Sequence, residues 1–194
     1  INTHPNVYHM GYVLGPRINA GGRVGKSSHG ANLLTNNNAK EVFKIASELD
    51  QFNKERKYLE EEVLDKITIE ANKTRSDPVI IVSGKNWHEG VIGIVASRLK
   101  DKFNKPVIII TVDNNLGKAS ARSIIGFDIG SIIIAAMQQK ILIKGGGHKM
   151  AGGFTIDVNN IEKFKDFVLK KFKNKDKNHA KEKSLYLDLS LIHI

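Results

Sequence analysis

Cysteine is absent from the 194 residues, which excludes disulfides and thiolate zinc sites and fits a reducing cytosol. No apolar run approaches the roughly eighteen residues that a membrane span needs. The longest, Ile129 to Met137, is broken by Gly130 and Ser131. No charged-then-apolar leader opens the chain. Catalytic signatures are missing too. His88-Glu89 is not part of an H-E-x-x-H site, no pair of Asp/His clusters suits two metals, no Ser-His-Asp order can be argued, and no G-x-x-x-x-G-K-[ST] loop exists. These absences leave a soluble, cytoplasmic protein away from membranes. The chain begins at Ile1 rather than Met, and its opening is a poor start for an independent fold, so we expect a fragment.

Positive charge, by contrast, is abundant: the formal net charge is +10 and the isoelectric point is near 9.7. A basic balance favours polyanion partners, because each neutralised phosphate releases condensed counterions. Half of that excess lies in one tail, where nine lysines between Lys163 and Lys183 face four acids. Such a run reads first as a solvated helix face and a connector. Charge alone therefore leaves nucleic-acid binding at even odds.

Residues 1–35 are glycine-rich with no sustained period and read as loop. Asn38, with Glu41 three residues on, resembles a capping box and opens a helix to about Lys73, roughly 54 Å long. Val42, Ile45, Leu49, Phe52, Leu59 and Val63 form its narrow stripe, with Arg56 on the same face. A long helix so patterned bridges two lobes more readily than it sits inside one. Beyond Pro78, Val79–Val82 and Val107–Ile110 read as buried strands flanking a helix at 89–103, a βαβ unit. Strands at Lys118–Ser123, Ile141–Ile143 and Phe154–Ile156 follow, with helices at 128–139 and 160–172. The expected class is α/β, a mixed and largely parallel sheet at about 76–175. The period-two run Leu185–Leu191 starts a further strand with no partners following.

Four motifs carry candidate chemistry. Gly15-Pro16-Arg17-Ile18-Asn19-Ala20-Gly21-Gly22-Arg23 offers two guanidiniums around a glycine-bearing turn, able to donate bidentately to phosphate. Ser120-Ala121-Arg122-Ser123 makes an anion pocket at a strand end, or only a solvated terminus. Gly145-Gly146-Gly147-His148 is harder to explain structurally, since three glycines carry an entropic cost unless backbone N–H groups must approach a ligand. Trp87-His88 opens the block running to Arg98, where an aromatic beside an imidazole suits base stacking and phosphate contact. Gly90 and Gly93 in that block read as packing glycines.

Together and in this order the motifs resemble the RecJ family of single-stranded-DNA-specific exonucleases, in the DHH phosphoesterase superfamily, over Tyr12 to Gly153. Gly21 and Gly152 depart from the family pattern, which usually has Ala at both. The resemblance implies that residues 1–36 close a DHH catalytic domain, 37–75 form a connecting helix, 76–175 a DHH-associated substrate-binding domain, and 176–194 a connector and first strand of an OB-fold. It implies a 5′-to-3′ exonuclease on single-stranded DNA in repair and recombination, using Mn²⁺ or Mg²⁺ held by residues outside this chain. Partners of the single-strand-binding-protein or helicase kind go with that role. Carried over as substrate-binding are Arg17, Asn19, Arg23, Trp87, His88, Ser120, Arg122, Ser123, Gly145, Gly146, Gly147 and His148; no catalytic residue is. An oligoribonuclease or phosphatase of the same superfamily and a non-catalytic single-strand-binding module remain alternatives, as does a metabolite-binding α/β domain.

Overall fold

A computed structural model describes residues 4–173; the period-two run from Leu185 and the four lysines beyond Lys173 lie outside them. The glycine-rich opening is helical, not loop. After a π-helical stretch (His9–Leu14), α1 spans Gly15–Val24 and α2 His29–Thr35. Glycine disfavours an isolated helix, but tertiary packing overrides it here: a Cβ at Gly21 would lie 2.7 Å from the Lys26 carbonyl oxygen and 3.1 Å from Leu49. Two polar links tie this piece to the long helix α3 (Ala39–Lys73). Arg17 Nε donates to Asp50 at 2.8 Å, and His29 Nε2 sits 2.6 Å from Glu48.

The cap of α3 matches the expected residue but not the reciprocal box. Asn38 Oδ1 accepts from the Lys40 and Glu41 amides, while Glu41 turns to Asn36. Arg56 does not break the stripe, because it brings its own partners into the buried face. Its guanidinium donates to Asn53 and to Glu60, itself 1% exposed, whose other oxygen lies 2.6 Å from Arg98.

The sheet has five strands in the order β1 (Ile80–Lys85), β2 (Val107–Asp113), β3 (Leu116–Arg122), β5 (Ala151–Asp157) and β4 (Lys144–His148). It is mixed, as expected, but not largely parallel: only β1 and β2 run parallel. The reason is local turn chemistry. Asn114 takes a left-handed φ of 51°, so β2 returns directly into β3 across two residues. Ile141–Ile143 is not a strand; Ile141 and Leu142 bury in the core, and the strand is the glycine-rich segment after them.

Helices cover the two faces unequally. On one face α5 (Ile129–Gln138) and α6 (Ile161–Lys173) pack on Ile108, Ile110, Ala119, Ala121, Phe154 and Ile156. On the other, α3 and α4 (Glu89–Phe103) bury Ile80, Val82, Val107 and Ile109 of β1 and β2. Beyond β3 that second face carries no helix among the described residues, and every residue of β4 is exposed.

Candidate nucleic-acid interface

Period two assigns the side chains of the uncovered platform. Directly opposed residues of antiparallel strands share a face. Arg122 therefore lies in one row with Ala151 and His148, Ser120 with Gly153 and Gly146, and Lys118 with Thr155 and Lys144. Arg122 and His148 face the same side, two strand spacings or about 10 Å apart. Ser120 and Gly153, with the Lys118, Thr155 and Lys144 row, line an open groove of about 650 Å³, walled by Glu89 and Ile92 at the start of α4.

Arg122 is half-buried beneath α4. Its Nε donates to Ser97 Oγ at 3.2 Å, and its Nη1 to Ser120 Oγ and the Ala121 carbonyl at 3.1 and 2.9 Å. A Cβ at Gly93 would lie 3.1 Å from Nη2, so glycine there lets α4 close over the guanidinium. None of these partners is a carboxylate, and Nη2 donates to no other group among the described residues, which leaves two N–H donors for a ligand. Burial lowers the Arg122 pKa from its ordinary value, and the Arg23 charge lowers it further. Arginine still remains protonated. Two guanidinium charges that repel one another in this way are each better accommodated with an anion beside them.

Arg23 reaches this place because α1 abuts the start of α4: a Cβ at Gly90 would lie 2.0 Å from the Arg23 carbonyl oxygen. Arg23 Nη1 donates to the Gly90 carbonyl at 3.3 Å and stays exposed. Gly90 thus serves α1 rather than the sheet. Asn19, exposed, lies one helical turn before Arg23 on the same side of α1. Arg17 does not join them. It is spent on Asp50 and on the Val13 carbonyl at 2.7 Å.

The triple glycine is a strand whose residues divide by face. Gly145, Gly147 and Gly152 leave no room: a Cβ at each would approach Phe154, the Ala151 carbonyl oxygen and Ile133 at 2.7, 2.5 and 2.4 Å. A Cβ at Gly146 would meet no heavy atom within 4 Å. Packing therefore explains the first three, and only Gly146 is left bare, on the uncovered face of the sheet. His148 stands at the hairpin end, its Nδ1 accepting from the Met150 amide at 3.3 Å.

Two further expectations, Trp87 and Ser123, are corrected, and His88 stands at the helix entrance as expected. Trp87 is 9% exposed; its ring lies against Gly84, where a Cβ would be 2.4 Å away, so it is a core residue and offers no stacking surface. Ser123 is 1% exposed and donates to the Phe127 carbonyl at 2.6 Å, being on the opposite face from Ser120 and Arg122. His88 is exposed, and its Nδ1 caps α4 by accepting from the Gly90 amide at 3.1 Å. Lys118, Lys144, Ser97 and Glu89 were not singled out. The alternation Lys118-Ser120-Arg122 signalled the first, and Lys144-Gly146-His148 would have signalled the second had that segment been read as a strand.

Residues 76–174 match the DHHA1 domain family. The chain belongs to that family. Over a longer stretch, it is 38% identical across 166 residues to the single-stranded-DNA-specific exonuclease RecJ of Haemophilus influenzae, covering 81% of this chain and 28% of that protein. It is 36% identical over 155 residues to RecJ of Bacillus subtilis, covering 78% and 20%. The crystal structure of RecJ from Thermus thermophilus in complex with Mn²⁺ superposes with a TM-score of 0.77 at 30% identity, covering 86% of this chain and 24% of that one. These matches bear out the resemblance to RecJ. The chain thus spans only 20 to 28% of these curated relatives. Among the described residues of this DHHA1 protein no group of three or more His, Asp and Glu could hold a metal ion, so no donor set here fits the Mn²⁺ of that relative. No described helix is long and apolar enough to cross a membrane.

Proposed function

We propose that this chain supplies the strand-gripping part of a 5′-to-3′ exonuclease specific for single-stranded DNA, acting in the cytoplasm during repair and recombination. The single observation behind the reading is the shared row of Arg122 and His148, on one face and beside bare Gly146. A 5′-terminal phosphate sits against Arg122, Ser120 and Arg23, with Asn19 one turn behind, and the sugar-phosphate backbone runs over Gly146 past His148. Glycine at that position lets the backbone of β4 meet the ligand without a side chain between. Hydrolysis in the intact enzyme uses Mn²⁺ or Mg²⁺ at ligands that the described residues of this chain do not provide, so this part binds and does not cut. Residues 1–36 belong to the catalytic lobe, 37–75 to the connecting helix and 76–175 to the substrate-binding domain. A single-strand-binding protein or a helicase would deliver the unpaired strand.

The test is binding of the 194-residue chain to a 5′-phosphorylated oligothymidylate, to the same strand with a 5′-hydroxyl, and to a duplex. Phosphorylated single strand should bind most tightly. Arg122→Ala should remove the phosphate preference at a loss of about 1.5–3 kcal/mol, the range for a hydrogen bond to a charged group. Equal affinity for phosphate and hydroxyl ends in both proteins would contradict the reading.

A further inference from the structure

We propose that Lys118 and Lys144 form a second phosphate station, which holds an internucleotide phosphate of the strand whose 5′ end lies at Arg122. The inference rests on the proposed function and extends it to how the strand lies. Both lysines flank Thr155 in one row of the sheet, on the same face as Arg122 and His148, and both line the open groove. Lys118 lies four residue steps before Arg122 on β3, about 13 Å of strand. Two nucleotide steps of an unstacked strand span that distance. The rows between carry Ser120, Gly153 and Gly146, so no bulky side chain blocks the path.

The two lysines differ in readiness. Lys144 is exposed and makes no ion pair among the described residues. Lys118 Nζ lies 2.5 Å from Glu89 Oε2, an exposed pair at the groove wall. An exposed ion pair is weak, and a phosphate can replace the carboxylate as partner. Glu89 thus competes with the strand at this station and has no part at the Arg122 end.

The experiment uses the 194-residue chain with two probes, a 5′-phosphorylated thymidine mononucleotide and the 5′-phosphorylated trinucleotide. Wild type should bind the trinucleotide more tightly. Combined Lys118→Gln and Lys144→Gln should leave mononucleotide affinity and melting temperature unchanged, abolish the trinucleotide's advantage, and flatten its log–log salt slope by about 0.7, the value for one single-strand phosphate. Glu89→Gln should tighten the trinucleotide and leave the mononucleotide unchanged. A trinucleotide advantage and salt slope that survive in the double variant overturn the second station while the Arg122 reading stands. Loss of mononucleotide binding in that variant overturns it too, since the stations would then be one. Failure of wild type to bind either probe removes the proposed function and this inference with it.

Discussion

Gly147 and Gly146 are neighbours in one short strand, yet a Cβ would strike the Ala151 carbonyl oxygen at the first and meet nothing at the second. The alternation of β4 sends Gly145 and Gly147 to the α5 side of the sheet, where Phe154 and Ile133 crowd the first and the backbone of β5 crowds the second. Gly146 goes toward the open platform, where packing makes no demand at all. The same contrast divides the faces of the sheet. One is closed from edge to edge by α5 and α6; the other is closed by α3 and α4 only as far as β3. A run of identical residues therefore holds two explanations, and register decides which applies to which residue.

That contrast can be broken in the closed regions first. Glu60→Ala removes the shared partner of Arg56 and Arg98 and leaves a buried guanidinium unpaired, so it should destabilise by about 3–5 kcal/mol in chemical denaturation. A loss under about 1 kcal/mol would mean that solvent reaches the pair. Gly147→Ala should cost about 1–3 kcal/mol through overpacking, read as a lowered melting temperature. Gly146→Ala should leave stability within about 0.5 kcal/mol, as at a surface position, while weakening binding of a phosphorylated single strand. Equal destabilisation by the two glycine changes would erase the distinction between the faces.

The smallest expected effect concerns the N-terminal helices. The hydrogen bond to His29 holds the Glu48 carboxyl below its ordinary 4.5, against a smaller desolvation effect. Hydrogen bonds from Lys54 and then Arg17 hold Asp50 below its ordinary 3.8. Lowered carboxyls stabilise the fold above their ordinary range and lose that contribution as pH falls through the shifted values. Acidification below the ordinary range should thus loosen α1 and α2 from α3 before it affects the sheet. Amide exchange of Ala20 and Gly21 rising ahead of that of Ile109 and Ile110 would show it; the reverse order would contradict it.

Legibility in the sequence followed side-chain pattern. The β-branched runs at 79–82 and 107–110 and the capped long helix declared themselves because burial on two faces, or on one stripe, writes a period. Glycine writes none, so β4 read as a loop although its hydrogen-bonded hairpin with β5 makes it a strand. Gly15–Val24 read as a turn because its helix depends on Leu49 and the Lys26 carbonyl, which are distant in sequence or visible only in space. The antiparallel return at Asn114–Asn115 lacked the Asn-Gly signal of a tight hairpin. Arg122 and Ser120 were identified rightly as neighbours, whereas Ser123 was grouped with them by sequence proximity that the pleat reverses. Trp87 was misplaced for a related reason: what buries it is the bare backbone of Gly84, a partner that hydrophobic patterning does not register.

A crystal structure of the chain with the 5′-phosphorylated thymidine trinucleotide would test the central claim most directly. The account predicts the strand on the α4 side of the sheet, its terminal phosphate at Arg122 and its backbone crossing Gly146. A strand bound instead on the opposite side, along the Lys163, Lys165, Lys170 and Lys171 surface of α6, would contradict it.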